Sequence, residues 1–296
     1  MRAWIEELTG AGPVVTDGAW GTQLFARGLE IGGCPDAWNL SHPDRVEGVA
    51  REYVEAGSRV IITNTFQATR FGLKRHGLAE KVVEINRAGA EISRRAAAGR
   101  ARVFASIGPS GVVLMMGEVA PDELQDAFYQ QAQALAEGGA DAIVVETMSD
   151  PTEAELAVAA ARETGLPVVA CMTFDSGKNL DRTSFGTTPE QAAERLSEAG
   201  ADCVGANCGQ GIEGFLEICR RLKTATDRPI WIKANAGLPE VVHGQTVWSQ
   251  TPEQFASHAA ALVEAGASFL GGCCGTTPEF IRAVKEKLSM GDGGRR

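Results

Sequence analysis

Three cysteines of this chain lie beside glycines at the ends of apolar runs, an arrangement typical of a metal site. Cys273 and Cys274 are adjacent and flanked by Gly272 and Gly275, and Cys208 ends a separate apolar run. Neighbouring side chains of a regular strand point to opposite faces. Both thiols can therefore reach one ion only where the strand has ended, and glycine permits that irregular backbone. Three protein ligands and an open fourth position characterise catalytic zinc, so the sequence predicts Zn2+ bound by Cys208, Cys273 and Cys274.

The other cysteines are predicted to be structural. The chain has seven cysteines, and three of them, Cys171, Cys203 and Cys219, lie inside apolar runs. A reduced thiol in such a run behaves as a small hydrophobic side chain. Cys34 lies in a loop-like segment, so it is the one further cysteine that could complete the coordination of a metal.

Composition favours a single domain that acts on a small molecule. A chain of 296 residues with 44% hydrophobic content can bury a large core without being divided. The net charge of −10 argues against nucleic acid or an anionic membrane as the main partner. The N-terminus predicts neither a signal peptide nor a membrane anchor. We expect a cytoplasmic protein of undetermined oligomeric state, with one domain over residues 1–290 and a polar, disordered tail over 291–296.

Eight short β-branched runs alternate with helical segments along the chain. Strands that are apolar almost throughout are covered on both faces, as in parallel sheets. Eight such repeats without a phosphate-binding G-x-G-x-x-G motif predict an α/β fold, the (β/α)8 TIM barrel, rather than an open doubly wound sheet. The runs span residues 14–15, 60–62, 103–105, 142–145, 168–171, 203–206, 230–232 and 268–270.

In such a barrel the carboxyl ends of the strands meet at one rim, where active sites lie. Cys208 would end the sixth strand, and Cys273 and Cys274 the eighth, so the three thiols are expected to converge. Asp17 and Glu146 would end the first and fourth strands, where carboxylates suit the ammonium group of a substrate. The alternative for either carboxylate is a structural role as a helix cap or loop anchor.

Two other kinds of zinc protein fit parts of this pattern. A hydrolase would require His or carboxylate ligands and a general base near the metal, whereas these strand ends offer thiolates. A non-catalytic zinc-stabilised or thiol-binding module would require a closed site of four ligands, with Cys34 as the loop candidate for the fourth.

Motifs along nearly the whole chain resemble those of the zinc-dependent homocysteine S-methyltransferases. The resemblance is strongest to the homocysteine-binding barrel of cobalamin-dependent methionine synthase. The Asn-Cys and Gly-Gly-Cys-Cys-Gly motifs are highly specific together, whereas the Asp-Gly motif alone is weak. The matching segments are residues 17–22, 55–66, 143–147, 205–208, 233–239 and 271–278.

The resemblance implies that the three cysteines hold zinc for the methylation of homocysteine to methionine. It also implies that Asp17, Gly18 and Glu146 position the amino-acid part of homocysteine. Asn235 is placed in the same binding site, close to the metal. This agrees with the chemistry of thiols: a free thiol has a pKa of about 8.5 and becomes a good nucleophile at neutral pH once a metal deprotonates it. Three thiolates weaken zinc as a Lewis acid, so the substrate sulfur stays electron-rich.

The sequence leaves two kinds of methyl donor open. No corrinoid-ligating Asp-x-His-x-x-Gly motif occurs in the chain, so the methyl group is expected from outside. The donor is either a separate methyl-corrinoid protein, which the resemblance favours, or a small molecule such as S-methylmethionine or a betaine. Most rim connections are short, which favours open access for a protein partner. Residues 237–251 form a longer rim segment that is expected to act as a lid or a docking surface.

Overall fold

The computed structural model of the protein describes residues 3–242 and 245–292. Eight parallel strands form the main sheet, and each lies where the sequence predicts a strand. They are β1 (Val14–Val15), β2 (Val60–Ile62), β3 (Arg102–Ile107), β4 (Ala142–Met148), β5 (Val168–Met172), β6 (Cys203–Gly211), β7 (Ile230–Asn235) and β10 (Ala267–Gly272). Their order is β1-β10-β7-β6-β5-β4-β3-β2, which confirms the predicted (β/α)8 barrel. The remaining strands, β8 (Pro239–Val242) and β9 (Gln245–Trp248), form an antiparallel hairpin.

The helices between the strands begin and end at recognisable signals. Thr188 and Thr251 each form a capping box with a glutamine at the third helical position. Gly57 and Gly200 end their helices in the left-handed conformation, which glycine adopts without steric cost. The helices are α1 (Ala3–Gly10), α2 (Gly21–Ala26), α3 (Trp38–Ser41), α4 (Pro43–Ala56), α5 (Arg70–Lys74), α6 (Val82–Ala97), α7 (Pro121–Glu137), α8 (Pro151–Glu163), α9 (Pro189–Ala199), α10 (Phe215–Ala225), α11 (Pro252–Ser257), α12 (Ala259–Glu264) and α13 (Pro278–Asp292).

Aromatic rings fill part of the barrel interior. The Trp231 ring lies 5.8 Å from the Phe104 ring and 5.1 Å from the Phe269 ring, measured between centroids. All three side chains are fully buried. Filled layers of side chains are the usual interior of this fold, so the barrel has a packed core beneath its rim.

The seam between β1 and β2 closes differently from the other strand pairs. The Arg59 N–H donates to the Val15 carbonyl oxygen over 2.8 Å. Further along, the Ile62 N–H donates over 2.8 Å to the Asp17 carboxylate. A side chain thus takes the place of a backbone acceptor at this seam, directly below the rim.

The C-terminal helix continues beyond the predicted domain boundary. α13 ends at Asp292, so the helix includes the first two residues of the predicted tail, and the disorder of that tail stays a prediction. The rest of the predicted tail, residues 293–296, lies outside the described residues. Within the described parts of the chain, no helix is long and apolar enough to cross a membrane.

Candidate metal and substrate site

The three predicted metal ligands meet at the carboxyl-terminal rim of the barrel. The sulfur atoms of Cys208, Cys273 and Cys274 all lie within 4.8 Å of one another, and the Cys208 and Cys274 sulfurs are 3.8 Å apart. Two thiolates bound to a tetrahedral zinc ion at about 2.3 Å are separated by about 3.8 Å. The observed spacing therefore fits zinc.

Cys34 does not join these three thiols. Its sulfur lies 4.0 Å from an Asp36 carboxylate oxygen. Among the described residues, the three rim cysteines are the one group of His, Cys, Asp or Glu side chains close enough to hold an ion. The ligand set thus matches an open three-cysteine centre.

The backbone at Cys208 is unusual for a residue with a side chain. Its φ is +60°, a left-handed conformation that costs of order 1 kcal/mol outside glycine. The pairing of β6 with β7 also shifts register between Asn207 and Gly211. The irregular strand end turns the Cys208 thiol toward Cys274 across the rim.

Hydrogen bonds fix the loop that carries the adjacent cysteines. The Cys273 N–H donates to the Ala234 carbonyl oxygen over 2.6 Å, and the Cys274 N–H donates to Asn235 Oδ1 over 3.1 Å. Asn235 is buried and lies beside the thiols, as predicted for its position. Its direct contact with substrate stays a prediction.

Hydrogen bonds among the three thiols shift their pKa values in opposite directions. The pKa of Cys208 is lowered because the Cys273 thiol, and then the Cys274 thiol, donate hydrogen bonds to it. The pKa values of Cys273 and Cys274 are raised because each supplies its proton to that thiolate. A divalent cation would favour release of the remaining protons, so metal binding is expected to release protons.

A cavity of about 320 Å³ opens from the rim and includes the three thiols in its wall. Glu146 lines the same cavity and is buried. Its Oε1 accepts a hydrogen bond of 2.5 Å from Ser106 Oγ. Burial raises the pKa of Glu146, and the charge of Lys233 partly offsets that effect. Glu146 is thus a buried carboxyl group in the wall of the cavity.

Gly18 also lines the cavity, and its neighbours explain the absence of a side chain. A Cβ at this position would lie 2.7 Å from both Tyr53 Oη and Thr276 Oγ1. The backbone of the β1 loop therefore packs closely against the loop after β10. This brings backbone groups to the cavity wall without an intervening side chain.

Asp17 lies behind the cavity wall and is fully buried. Three donors surround its carboxylate: Ile62 N–H and Trp20 Nε1, each at 2.8 Å, and Lys233 Nζ at 2.5 Å. Trp20 and Lys233 line the cavity, whereas Asp17 is not among its lining residues. The structure therefore gives Asp17 a role in closing the seam and in supporting two cavity residues. Its direct contact with a substrate ammonium stays a prediction.

Sequence reasoning did not single out three residues that belong to this site. Lys233 and Asn207 lie near the ends of barrel strands, as Glu146 does. Their residue types alone did not mark them as members of the site. Asn207 donates to Thr147 Oγ1 over 2.7 Å and accepts from the Thr147 N–H over 2.8 Å. Asp36 lines the cavity from a loop, where no periodic pattern marks it.

Asp36 places a second carboxylate in the cavity wall. It is 2% exposed, and its Oδ1 accepts a hydrogen bond of 3.1 Å from the Gln67 N–H. Burial raises the pKa of Asp36 from 3.8 to about 6. The cavity wall thus contains two acidic side chains, Asp36 and Glu146.

Fold and site together define a TIM-barrel protein with three clustered cysteines in the wall of a cavity at the rim. The chain belongs to the homocysteine S-methyltransferase family, whose model matches residues 14–288. It is 33% identical over 292 residues to methionine synthase of Mycobacterium tuberculosis, covering 92% of this chain and 24% of that protein. The chain thus spans about a quarter of the length of that relative.

A relative of similar length and a solved structure extend this likeness. The chain is 29% identical to homocysteine S-methyltransferase 3 of Zea mays, over 98% of this chain and 94% of the relative. The crystal structure of the metallated homocysteine methyltransferase MmuM of Escherichia coli superposes with a TM-score of 0.79. That match covers 97% of this chain and 99% of the other at 24% identity, and therefore supports the fold.

Proposed function

We propose that the protein is a zinc-dependent methyltransferase that methylates the thiol of homocysteine to give methionine. The observation that carries this proposal is the convergence of three thiols in a cavity that Glu146 also lines. Family membership supports homocysteine as the acceptor. When bound, zinc would hold the substrate sulfur at its open position as a thiolate. The proposed location is the cytoplasm, where such thiols stay reduced.

The residues around the thiols have complementary tasks in this proposal. Glu146 accepts hydrogen bonds from the substrate ammonium, and Asp17 adds negative charge from behind the wall. Gly18 allows the backbone of the β1 loop to approach the amino-acid group. Asn235 fixes the backbone of Cys274 and lies next to the bound sulfur. The substrate thiol would thereby be held beside the three cysteines, with a sulfur lone pair available to attack the methyl group.

The proposed methyl donor is a separate methyl-corrinoid protein. The carbon–cobalt bond would break with both electrons left on cobalt as the carbon–sulfur bond forms, and the thiol proton would leave to solvent. Direct displacement requires the reacting atoms at about 3 to 3.5 Å and in line. The corrin must therefore reach the cavity mouth, and in this proposal a docked protein presents it there.

Exposed apolar side chains on the rim loops support such docking. Ile31 follows β1, Met115 follows β3, and Val241 lies in the hairpin after β7, with exposures of 98%, 84% and 78%. In this proposal, these exposed apolar side chains contribute contacts to the docked protein. The sequence resemblance to cobalamin-dependent methionine synthase, together with the two methionine synthases among the relatives, also favours a corrinoid donor.

A small cationic donor is the second candidate, and Asp36 favours it. Its buried carboxylate lines the cavity and suits a sulfonium or a quaternary ammonium group. S-methylmethionine and glycine betaine are the donors to test. Both candidates use the same thiol chemistry and differ only in what delivers the methyl group.

Methyl transfer to homocysteine separates these candidates. The zinc-loaded protein is incubated with homocysteine and either methylcobalamin, a methyl-corrinoid protein, S-methylmethionine or glycine betaine, and methionine is quantified. We expect methionine to form with the corrinoid donors, together with loss of the cobalt–carbon absorption band. Turnover only with a small donor would replace the corrinoid proposal by the second candidate. No methionine with any donor, despite full zinc occupancy, would contradict the methyltransferase proposal.

A further inference from the structure

Lys233 is a buried cation in the wall of the cavity. Its side chain is 2% exposed, and its Nζ lies 2.5 Å from Asp17 Oδ1. In the described part of the chain, Asp17 is the one acceptor within hydrogen-bond distance of this Nζ. A lysine ammonium has three N–H donors, so two of them remain for a ligand in the cavity that Lys233 lines.

The charges around Lys233 keep it protonated. Burial lowers the pKa of Lys233, but the attraction of Asp17 and then of Glu146 outweighs burial and raises it overall. Two carboxylates and one ammonium therefore lie in or behind the same wall. A zwitterionic amino acid would complete this arrangement, with its ammonium beside Glu146 and its carboxylate beside Lys233.

The strand order places Lys233 close to the metal ligands. It lies on β7, between β6, which carries Cys208, and β10, which leads into Cys273 and Cys274. Lys233 and the three thiols line the same cavity. A short aminothiol acid bound there could therefore place its sulfur beside the thiols and its charged end beside Lys233.

We propose that Lys233 binds the α-carboxylate of the acceptor and thereby selects amino-acid thiols over thiols that lack a carboxylate. The inference rests on the proposed function, which supplies the thiol acceptor. A thiol without a carboxylate leaves the buried ammonium without its second partner, and unpaired buried polar groups reject such ligands strongly. Lys233 is in this role a specificity-determining residue.

The test compares homocysteine with 3-aminopropane-1-thiol, which lacks the carboxylate, and with 4-mercaptobutanoate, which lacks the ammonium. Values of kcat/KM for methyl transfer are measured for the parent protein and for Lys233→Met. The parent is expected to prefer homocysteine over 3-aminopropane-1-thiol by about 100-fold or more. In Lys233→Met that preference should fall toward one, because only the thiols with a carboxylate lose their partner.

Two further variants separate this role from a structural one. The double variant Asp17→Asn/Lys233→Met removes both buried charges, so no unpaired carboxylate is left to impair folding, and the same loss of preference is expected. Glu146→Gln is the matched control, because it should lower the preference for thiols with an ammonium and keep the preference for the carboxylate.

An equal loss for all three thiols in both Lys233 variants would overturn the inference, since Lys233 would then only support Asp17. A parent protein that does not distinguish homocysteine from 3-aminopropane-1-thiol would also overturn it. Failure of the proposed function has a different signature: the zinc-loaded parent would methylate none of the three thiols.

Discussion

Asn207 and Cys208 show how single residues build this site. Cys208 and Thr147 both have positive φ values, 60° and 59°. The side chain of Asn207 joins the end of β6 to Thr147 through two hydrogen bonds. Strained residues of this kind persist where their surroundings hold them, and they concentrate at functional sites. The amide of Asn207 thus holds the end of β6, which carries Cys208, against Thr147, the residue that follows Glu146.

Replacing Cys208 with Ala should remove most of the bound zinc and leave the barrel folded. One zinc per chain is expected in the parent, and two remaining thiolates bind it much more weakly than three. Metal analysis together with circular dichroism measures both effects. Cys219→Ala is the matched control, because Cys219 lies in α10 and its sulfur contacts the Leu262 carbonyl oxygen. Full zinc occupancy in Cys208→Ala would refute the assigned ligand set.

Replacing Glu146 with Gln should weaken homocysteine binding by about 1.5 to 3 kcal/mol, the range for hydrogen bonds to charged groups. Zinc content should not change, because Glu146 is not a metal ligand in this assignment. Calorimetric titration with homocysteine measures the loss. Glu153→Gln is the control, since this buried glutamate accepts hydrogen bonds from Ser110 and does not line the cavity. Unchanged affinity in Glu146→Gln would show that the ammonium binds elsewhere.

Asp36 should make the protein less stable as pH rises. Its pKa is raised by burial from 3.8 to about 6, so the folded state holds this proton more tightly than the unfolded state. The stability that protonation gives below about pH 4 is lost as pH rises through about 6, up to about 3 kcal/mol. The unfolding free energy of Asp36→Asn minus that of the parent should therefore increase over this range in urea titrations. A difference that stays constant with pH would show that Asp36 titrates normally.

At the scale of elements, the hairpin of β8 and β9 is the part of the rim that the sequence left undefined. Residues 237–251 were expected to form a lid or a docking surface, and that role stays a prediction. The hairpin ends at Trp248, whose ring occupies the space where Gly275 would carry a side chain. Gly275 also has a φ of +81°. The hairpin is thus packed directly on the loop that carries Cys273 and Cys274.

Replacing Gly275 with Ala should displace Trp248 and loosen the metal loop. Gly186→Ala is a matched control, because Gly186 has a φ of +82° but open space where a Cβ would lie. In both variants the left-handed backbone lowers the free energy of unfolding by about 1 kcal/mol. In Gly275→Ala the new methyl group also collides with the indole ring of Trp248. We expect lower thermal stability, altered tryptophan fluorescence and weaker zinc binding in Gly275→Ala relative to the control. Identical melting temperatures and zinc affinities in the two variants would show that the Trp248 ring moves aside without an energetic cost.

The elements were more predictable from sequence than the contacts of individual side chains. Apolar runs between helical segments identified all eight barrel strands, since burial on both faces leaves a local signature. The three cysteines were identified because glycines mark the strand ends that carry them. The position of Asp17 behind the wall depends on how β1 meets β2, and the ion pair with Lys233 spans three strands. Neither is visible in local spacing, because both depend on closure of the barrel.

For the whole molecule, the packed interior separates folding from metal binding. Phe104, Trp231 and Phe269 fill the barrel below the rim, and the three proposed metal ligands lie at the rim. Small zinc domains unfold without their ion because the site is most of their core. A barrel with a large apolar core has no such dependence.

Removing zinc with a chelator should therefore leave the secondary structure and a cooperative thermal transition in place. The loss of stability, seen as a lower melting temperature, should equal only the binding free energy of the metal at the concentration used. Circular dichroism before and after dialysis against a chelator measures this, and restoring zinc is the control. Loss of helical signal on chelation would show that the rim metal holds the barrel together.

The seam between β1 and β2 makes one backbone amide a reporter for the charged groups of the cavity. The Ile62 N–H donates to the carboxylate of Asp17, and the same carboxylate holds Lys233. Exchange of this amide hydrogen with deuterated solvent requires the carboxylate to release it, by local opening of the structure. A ligand that draws Lys233 toward the cavity would change the strength of the hydrogen bond between the Ile62 N–H and the Asp17 carboxylate, although neither group is a proposed metal ligand. The deuterium uptake of a single peptide around Ile62 would then register occupancy of the site without any spectroscopic label on it.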